Sequence, residues 1–157
     1  MLMPPAWSLS SARTLGPVRV GVRAGMTEAV TPDGELVYRT PLPVAAARRW
    51  WQDLGGDVVT GPLPTIVRMR AYGTAFQLSV WQACRRIPAG QRRTYGQLAQ
   101  AVGCRSAQAI GTALGANPLA GIIPCHRVVA ADGLGGFAWG AGRKQAWLEA
   151  EVDGTAR

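Results

Sequence analysis

The residues best suited to chemistry lie in one short run, Ile122–Val129, in which Cys125 and His126 interrupt an apolar sequence. The β-branched residues on both sides predict a buried strand that bends sharply at Pro124, which cannot donate a backbone hydrogen bond. His126 is the only histidine of the 157 residues. The pair is either a buried, inert thiol beside a hydrogen-bonded imidazole or a thiol activated as a nucleophile by a nearby base. Successive strand side chains point to opposite faces, so the proton would have to pass around a turn or through a water molecule.

A third ionisable group, Glu151, ends the last predicted helix. It follows the inward-facing Trp147 and Leu148 by four and three positions and so shares their apolar stripe. A carboxylate there either lies at the solvent-exposed edge of the stripe or needs a buried partner. The pattern by itself favours the edge, but His126 is a partner that would reverse this interpretation. In that case Glu151 would orient His126, which would accept the Cys125 proton through a water molecule.

The elements that must position these groups are mostly short helices. A helix from Thr74, a favourable N-cap residue, to about Ile87 would bury one face. Cys84 lies on that face and is therefore expected to be a core residue and not a reactive one. The other members of the face are Phe76, Val80, Trp81 and Ile87. The last helix is predicted over residues 143–151.

Two further helices are predicted on either side of a glycine turn. Thr94 caps the first, which reaches Val102, and Ser106 caps the second, which reaches about Leu114. Two short helices joined at Gly103 form a helix-turn-helix pattern, although two packed helices without any DNA role would show the same pattern. The second helix is built largely of small residues and carries few long donors for major-groove base edges. Such a slim helix is better suited to a narrow groove.

The N-terminal part of the chain has a different character. Residues 1–16 lack periodicity and are expected to form a loose leader. Strands are predicted over residues 18–23 and 36–38, and a helix over residues 45–54. The fold class is therefore α/β (α+β). A small N-terminal α/β subdomain, residues 1–70, precedes a mostly helical C-terminal domain, residues 71–157, which carries the helix-turn-helix and the cysteine.

The composition of the chain limits the classes of protein to which it could belong. Lys and Arg number 17 against 9 Asp and Glu, and the net charge of +8 suits a polyanionic partner. Arginine bias also arises in GC-rich genomes, which weakens that inference.

Three widely spaced cysteines without a C-x-x-C pair support neither a disulfide framework nor a metal site. The N-terminus has no long apolar stretch, which argues against a signal peptide or a membrane span. We expect a cytoplasmic monomer without a metal or a cofactor.

The run Pro124–Val128, together with Gly115–Pro118, resembles the active-site signature of the O6-alkylguanine-DNA alkyltransferases. The resemblance extends over Gly73–Glu151 and includes Gly73–Gln77, Val80-Trp81 and Thr94–Gly96. It implies DNA repair by a single, irreversible transfer of an alkyl group to Cys125. The implied substrate is O6-alkylguanine in duplex DNA, flipped out of the stack, with O4-alkylthymine left open as a second one. The N-terminal subdomain is short for this family, so its completeness is also left open.

The resemblance also assigns roles to single residues. Cys125, His126 and Glu151 would form the proton relay, and Asn117 would brace the turn. Tyr95 would contact the flipped base or its phosphate, the carbonyls of Cys125 and Val128 would receive the exocyclic amine, and Phe137-Ala138 would cover the pocket. The second helix, with Ala107, would enter the minor groove, and Arg127 is also expected among the DNA contacts.

One position departs from the family pattern. Gln108 stands where the family often has an arginine that fills the gap left by the flipped base. Gln108 can hydrogen-bond the orphaned base but lacks charge and reach, and Arg105 would substitute only in part. We therefore expect weaker DNA affinity or slower repair than an arginine-bearing relative would show.

Two other classes compete with this interpretation. A non-catalytic sensor of alkylated bases would share the fold, but such relatives lack the reactive cysteine. A cysteine hydrolase using Cys125 and His126 would turn over repeatedly, and it would leave the basic charge and the two short helices without a task.

Overall fold

The structure is a computed structural model that describes residues 6–10 and 15–152. These residues fall into two compact units. The first, here called the sheet unit, contains the described residues up to Thr74 together with Pro118–Ala120. The second, called the helical unit, contains Ala75–Asn117 and the described residues from Gly121 onward. Within residues 6–10 and 15–152, every helix is too short or too polar to span a lipid bilayer.

The sheet unit is a six-stranded mixed sheet in the order β1-β6-β4-β3-β2-β5 with one helix packed on it. Its elements are β1 (Ala6–Ser10), β2 (Pro17–Arg23), β3 (Met26–Val30), β4 (Glu35–Thr40), α1 (Val44–Asp53), β5 (Asp57–Val58) and β6 (Arg68–Tyr72). Strands β2, β3 and β4 pair antiparallel, and the remaining pairs are parallel. The core beneath α1 consists of Val18, Ala29, Val37, Tyr38, Ala47 and Trp51.

Two predicted strands and the predicted helix of this unit are confirmed as β2, β4 and α1. The loose leader is wrong for residues 6–10, because β1 pairs in parallel with β6, from Ala6 opposite Arg68 to Ser10 opposite Tyr72. Residues 1–5 and 11–14 of that leader lie outside the described residues. Strands β3, β5 and β6 were not predicted. Strands β5 and β6 pair with strands far along the chain, which a local pattern does not show. Strand β3 pairs with its neighbours β2 and β4, but its sequence MTEAV lacks the alternation of apolar and polar residues that marks a strand.

Pro118–Ala120 joins the sheet unit through the backbone of Arg39. The Arg39 N–H donates to the Pro118 carbonyl at 2.8 Å, and the Ala120 N–H donates to the Arg39 carbonyl at 3.0 Å. The Arg39 guanidinium also donates to the Ala120 carbonyl. The three residues that follow Asn117 are therefore held by an ordered strand and not left as a free loop.

The helical unit is built of four helices, one tight turn and a two-stranded ribbon. Its elements are α2 (Ala75–Arg85), β7 (Arg93–Thr94), α3 (Tyr95–Ala101), α4 (Ala107–Gly115), the turn Cys125–Arg127, β8 (Val128–Val129) and α5 (Ala141–Val152). Val80, Trp81 and Cys84 of α2 are buried as predicted. Phe76 is 40% exposed, which corrects its assignment to the core. Phe76 has the spacing of the buried face, but it lies in the first turn of α2, where its side chain is not buried by other elements.

The predicted helix-turn-helix caps are both present. The Thr94 hydroxyl accepts from the Gln97 N–H at 3.1 Å, and the Gln97 side chain accepts from the Thr94 N–H at 2.9 Å, which completes a capping box. Ser106 accepts from the Ala109 N–H at 3.0 Å. Gly103 reverses the chain between the helices with φ +72°, a left-handed conformation that favours glycine.

The run that contains the cysteine was predicted as a strand bent sharply at Pro124, but most of it is not a strand. Cys125–Arg127 is one turn of 3-10 helix, and only Val128–Val129 is extended. The turn closes because the Arg127 N–H donates to the Pro124 carbonyl at 2.9 Å. Strand β8 pairs in parallel with β7, Arg93 opposite Val128 and Thr94 opposite Val129. This pairing brings the start of α3, with Tyr95, beside the end of the turn.

Candidate active site

The turn Cys125–Arg127, here called the reactive turn, places a buried thiol against an amide donor. Cys125 is 5% exposed. The Asn117 side-chain amide donates to the Cys125 Sγ at 3.2 Å and to the Ile123 carbonyl at 2.8 Å. Asn117 therefore ties the sulfur to the backbone that leads into the turn. A hydrogen bond to sulfur favours the thiolate over the thiol.

His126, the residue after the thiol, forms a buried pair with Glu151. The His126 Nε2 lies 3.1 Å from the Glu151 Oε1, and the two side chains are 4% and 3% exposed. The interpretation of Glu151 as a residue at the solvent-exposed edge is therefore wrong, because its carboxylate has the buried partner that the sequence made conceivable. The His126 Nδ1 is buried and has no hydrogen-bond partner among the described protein groups. It is thus the ring nitrogen left to exchange a proton.

Arg127 binds the second oxygen of the same carboxylate. Its Nε donates to the Glu151 Oε2 at 2.8 Å, its Nη2 contacts the same oxygen, and its Nη1 donates to the Ile87 carbonyl at 2.7 Å. The guanidinium therefore joins the reactive turn to α5 and to the residues after α2. This location differs from the DNA contact expected for Arg127 from the sequence.

The protonation states follow from burial and these partners. Burial lowers the pKa of His126 below its ordinary value, although Glu151 opposes the shift, so the imidazole is neutral at neutral pH. Burial would raise the pKa of Glu151, but the hydrogen bonds and charges of Arg127 and His126 outweigh it and lower that pKa. The carboxylate is therefore ionised.

The resting thiol is mainly protonated. Burial raises the pKa of Cys125 to about 11, while the Asn117 hydrogen bond and the nearby Lys144 ammonium oppose the increase. A neutral thiol, a neutral imidazole and an ionised carboxylate are the protonation states in which a cysteine, a base and its partner carboxylate would start a proton transfer.

The thiol lines a cavity of about 550 Å³, here called the site cavity, which is in the size range of small-ligand sites. Its lining residues are Tyr95, Ala107, Gln108, Gly111, Thr112, Leu114, Gly115, Cys125, Gly136, Phe137 and Ala138. The Tyr95 hydroxyl donates to the Gly136 carbonyl at 3.1 Å, so the glycine-rich loop is tied to α3. A Cβ on Gly135, which has φ +75°, would lie 2.8 Å from the Tyr95 ring, so this approach requires glycine.

The structure places the predicted site residues in three kinds of position. Tyr95, Ala107, Gln108, Cys125, Phe137 and Ala138 line the site cavity. Asn117, His126, Glu151 and Arg127 are not among its lining residues: Asn117 contacts the thiol, and His126 and Arg127 contact Glu151. Val128 is fully buried in β8, and Arg105 is exposed between α3 and α4. Among the described residues no group of three or more His, Cys, Asp and Glu is placed to hold a metal ion.

Lys144 is the site residue that sequence reasoning missed. It is fully buried, and its Nζ donates to the Gly136 carbonyl at 2.9 Å and lies 3.4 Å from the Tyr95 hydroxyl oxygen. A signal was available, because Lys144 precedes Leu148 by four residues and Glu151 by seven and so lies on their buried stripe. The small lining residues of α4 and Gly136 were also not assigned to a pocket.

Helix α4, the second helix of a helix-turn-helix, lines a cavity that contains a buried thiol, and the same compact unit buries an amide bonded to that thiol and an imidazole paired with a carboxylate. This combination defines a class of cysteine proteins with a helix-turn-helix and a potential nucleophile. The chain belongs to the O6-methylguanine methyltransferase family. The family profile described as "6-O-methylguanine DNA methyltransferase, DNA binding domain" matches residues 75–153, half of the chain.

Individual relatives agree with this membership. The chain is 47% identical over 96 residues to the bifunctional transcriptional activator/DNA repair enzyme Ada of Escherichia coli, covering 60% of this chain and 27% of Ada. It is 47% identical over 87 residues to a methylated-DNA–protein-cysteine methyltransferase of Mycobacterium bovis, covering 54% of this chain and 53% of the relative. The matched part therefore spans about half or less of these relatives. The crystal structure of Mycobacterium tuberculosis OGT in complex with DNA matches with a TM-score of 0.63 and 31% identity, covering 89% of this chain and 95% of that one.

Proposed function

We propose that the protein repairs DNA by moving an alkyl group from the O6 atom of guanine in duplex DNA onto Cys125. The observation that carries this proposal is the buried Cys125 sulfur, which lies in a cavity of about 550 Å³ whose wall is the second helix of a helix-turn-helix. The named activities of the family relatives support it. We assign the activity to the proposed C-terminal domain, residues 71–157.

The relay would act only once the base is in place. His126 is neutral and can accept the thiol proton through a water molecule at its Nδ1, and Glu151 would stabilise the imidazolium that forms. Asn117 would donate to the sulfur as it becomes negative. Arg127 keeps the Glu151 carboxylate ionised and in position, which gives this residue a role away from DNA.

The chemical step balances without a further reactant. The sulfur attacks the alkyl carbon, a C–S bond forms, and the bond between that carbon and the guanine O6 breaks. The guanine leaves with the electron pair and takes the proton held by His126. Cys125 becomes an alkyl thioether, which no group of the site can cleave, so each molecule acts once.

The lining residues fit a flipped nucleotide. Tyr95 and the Phe137-Ala138 loop would enclose the base, and the carbonyls of Cys125 and Val128 would receive its exocyclic amine. Extrusion costs a few kcal/mol, which the contacts inside the cavity would offset. Ala107 and the small residues of α4 suit close approach in the minor groove, and the net charge of +8 suits phosphates. We propose that the protein binds as a monomer in the cytoplasm.

The decisive experiment is intact-mass analysis after mixing the full chain with duplex DNA containing one O6-methylguanine. We expect one methyl group per protein molecule, located on Cys125 by peptide mapping, and none on Cys125→Ser. Binding of the duplex without transfer would identify a lesion sensor instead. Repeated turnover without protein modification would indicate a hydrolase.

Gln108 tests the DNA side of the proposal separately. It is exposed, lines the site cavity, and stands where the family often has arginine. Gln108→Arg should raise the repair rate on duplex DNA and steepen the decrease of affinity with salt, because one more cation would release counterions. An unchanged or lower rate would contradict this role for position 108.

A further inference from the structure

We propose that Lys144 is a positioning residue of this site, whose buried ammonium stabilises the Cys125 thiolate and holds Tyr95 and Gly136 at the cavity wall. The inference deepens the proposed function and rests on it for its role in alkyl transfer. The thiolate stabilisation itself can be measured without DNA. The three observations that carry the inference are the burial of Lys144, its neutral partners and its proximity to aromatic rings that line the site cavity.

Burial is the first observation. Lys144 is the only lysine of the chain, and its relative exposure is 0%. Taking an ammonium out of water is costly unless an anion compensates it. The ion pairs in the described part of the chain join arginines or His126 to carboxylates, and none of them includes Lys144. The resting site thus holds a buried cation whose charge is not neutralised by a carboxylate.

The partners of the ammonium are neutral groups of the cavity wall. Its Nζ donates to the Gly136 carbonyl at 2.9 Å and lies 3.4 Å from the Tyr95 hydroxyl oxygen. It also lies 5.5 Å from the centre of the Tyr95 ring and 5.9 Å from that of Phe137, within cation–π range. These contacts orient the ammonium and fix α3 against the glycine-rich loop, but they supply no negative charge. The anion that can complete the site is the sulfur of Cys125 in its ionised state.

The electrostatic coupling between the two groups agrees with this geometry. Burial lowers the pKa of Lys144, and the Cys125 charge opposes that decrease. Lys144 in turn opposes the increase that burial causes in the pKa of Cys125. Each group therefore favours the charged state of the other. Formation of the thiolate in the field of the buried ammonium therefore costs less free energy than burial alone would require.

Other groups also face the sulfur and must be separated from Lys144 in any test. Asn117 donates to it, and His126 follows it in the reactive turn. Tyr95 of α3 and Cys84 of α2 interact with it electrostatically. Arg127 and Glu151 act one step further away, through His126. The variants below leave all of these groups in place and change only the charge or the hydrogen bonds of position 144.

The test measures the reaction of Cys125 with iodoacetamide in the full-length protein without DNA, from about pH 7 to about pH 11. Lys144→Gln keeps a donor for the Gly136 carbonyl but removes the charge, and Lys144→Met removes both. Peptide mapping distinguishes Cys125 from Cys84 and Cys104. We expect both variants to label Cys125 about tenfold more slowly at a given pH and to shift its profile upward by about one pH unit. Lys144→Arg should restore most of the difference, because it keeps the charge.

The matched control is Arg86→Met, which removes one positive charge from an exposed position at the end of α2. It should leave the labelling profile unchanged. Labelling of Lys144→Gln at the wild-type rate would overturn the proposal. So would a lower melting temperature of Lys144→Met with an unchanged labelling profile, because Lys144 would then be only a structural support. If Lys144→Met does not fold, Lys144→Gln alone decides.

A second measurement connects the residue with alkyl transfer. With O6-methylguanine duplex in excess, Lys144→Gln should lower the maximal transfer rate about tenfold while the dissociation constant for the duplex stays within about twofold. If the wild type labels as expected but transfers no methyl group, the proposed function fails and the thiolate stabilisation stands. If the wild type transfers and Lys144→Gln transfers equally fast, the proposal for Lys144 fails alone.

Discussion

Helix α2 and the reactive turn each bury a cysteine in the same compact unit, yet the two thiols have different environments. Cys84 and Cys125 are 0% and 5% exposed. Burial, with added repulsion from Cys125, raises the pKa of Cys84 far above its ordinary value, so this thiol does not ionise. Burial also raises the pKa of Cys125, but only to about 11, because Asn117 and Lys144 oppose it. A cation, Arg127, also opposes the increase at Cys84 but does not offset it, whereas the Asn117 hydrogen bond and the Lys144 ammonium keep the pKa of Cys125 closer to its ordinary value.

The strongest contrast between the two regions is in alkyl transfer. Cys125→Ser should abolish methyl transfer, because a hydroxyl is a far weaker nucleophile than a thiolate. Cys84→Ala should keep the rate within about twofold, because the rate depends on the Cys125 environment. The measurement is transfer of labelled methyl from an O6-methylguanine duplex to the protein. Detection of the methyl group on Cys84 would contradict the proposal that only Cys125 of these two thiols is reactive.

Glu151→Gln is expected to have the next largest effect. The amide cannot stabilise the His126 imidazolium as the carboxylate does, so the transfer rate should fall about 100-fold. The matched control is Glu149→Gln, because Glu149 lies on the same helix, is exposed and bonds only the Gln145 side chain in a 2.7 Å contact. Single-turnover kinetics provide the rates. Equal rates for the two variants would show that Glu151 has no part in the relay.

Asn117→Ala would make the surroundings of Cys125 more like those of Cys84. Loss of the 3.2 Å hydrogen bond to the sulfur should raise the pKa of Cys125 further and slow its iodoacetamide labelling about tenfold at a given pH. Circular dichroism checks that the helices remain. If labelling is unchanged in a folded variant, the amide does not stabilise the thiolate.

The dependence of the transfer rate on pH below neutrality tests whether His126 is the base. His126 can accept a proton only when it is neutral, and burial lowers its pKa below the ordinary value. The transfer rate should therefore stay level down to about pH 6.5 and fall only below that, approaching tenfold per pH unit once His126 is protonated. Rates measured with a stable duplex across this range provide the check. A decrease of the transfer rate that begins well above pH 7 would show that a group other than His126 controls it.

The smallest effect concerns stability. Cys84→Ala removes one fully buried sulfur and should lower the free energy of unfolding by about 1 kcal/mol without changing transfer. Chemical denaturation monitored by tryptophan fluorescence measures it. A decrease of the transfer rate by much more than twofold in the folded variant would mean that the packing of α2 at Cys84 positions the reactive turn.

The parts of the fold that could be predicted carry local signals. Thr94, Gly103 and Ser106 mark the ends of α3 and α4 by capping and turn chemistry, and the structure confirms these predictions. Strand β1 carries no comparable signal, because its hydrogen bonds go to β6, far along the chain. The reactive turn was predicted as a bent strand, since apolar β-branched residues do not distinguish extended backbone from a turn closed by Pro124.

The amino-acid sequence is enough to identify the groups that this protein can use: one histidine, a cysteine beside it, a helix-turn-helix with a slim second helix, and the motifs of the family. The fold sets how these groups are arranged. It buries Glu151 against His126, turns Arg127 toward that carboxylate, and encloses Lys144 against Gly136 of the cavity wall. A pKa depends on burial and on neighbouring groups, and the neighbours here are Asn117, eight residues before Cys125, and the α5 residues Lys144 and Glu151. These neighbours are brought together by packing between segments that are distant in the sequence, and the spacing of residues along the chain does not reveal this packing.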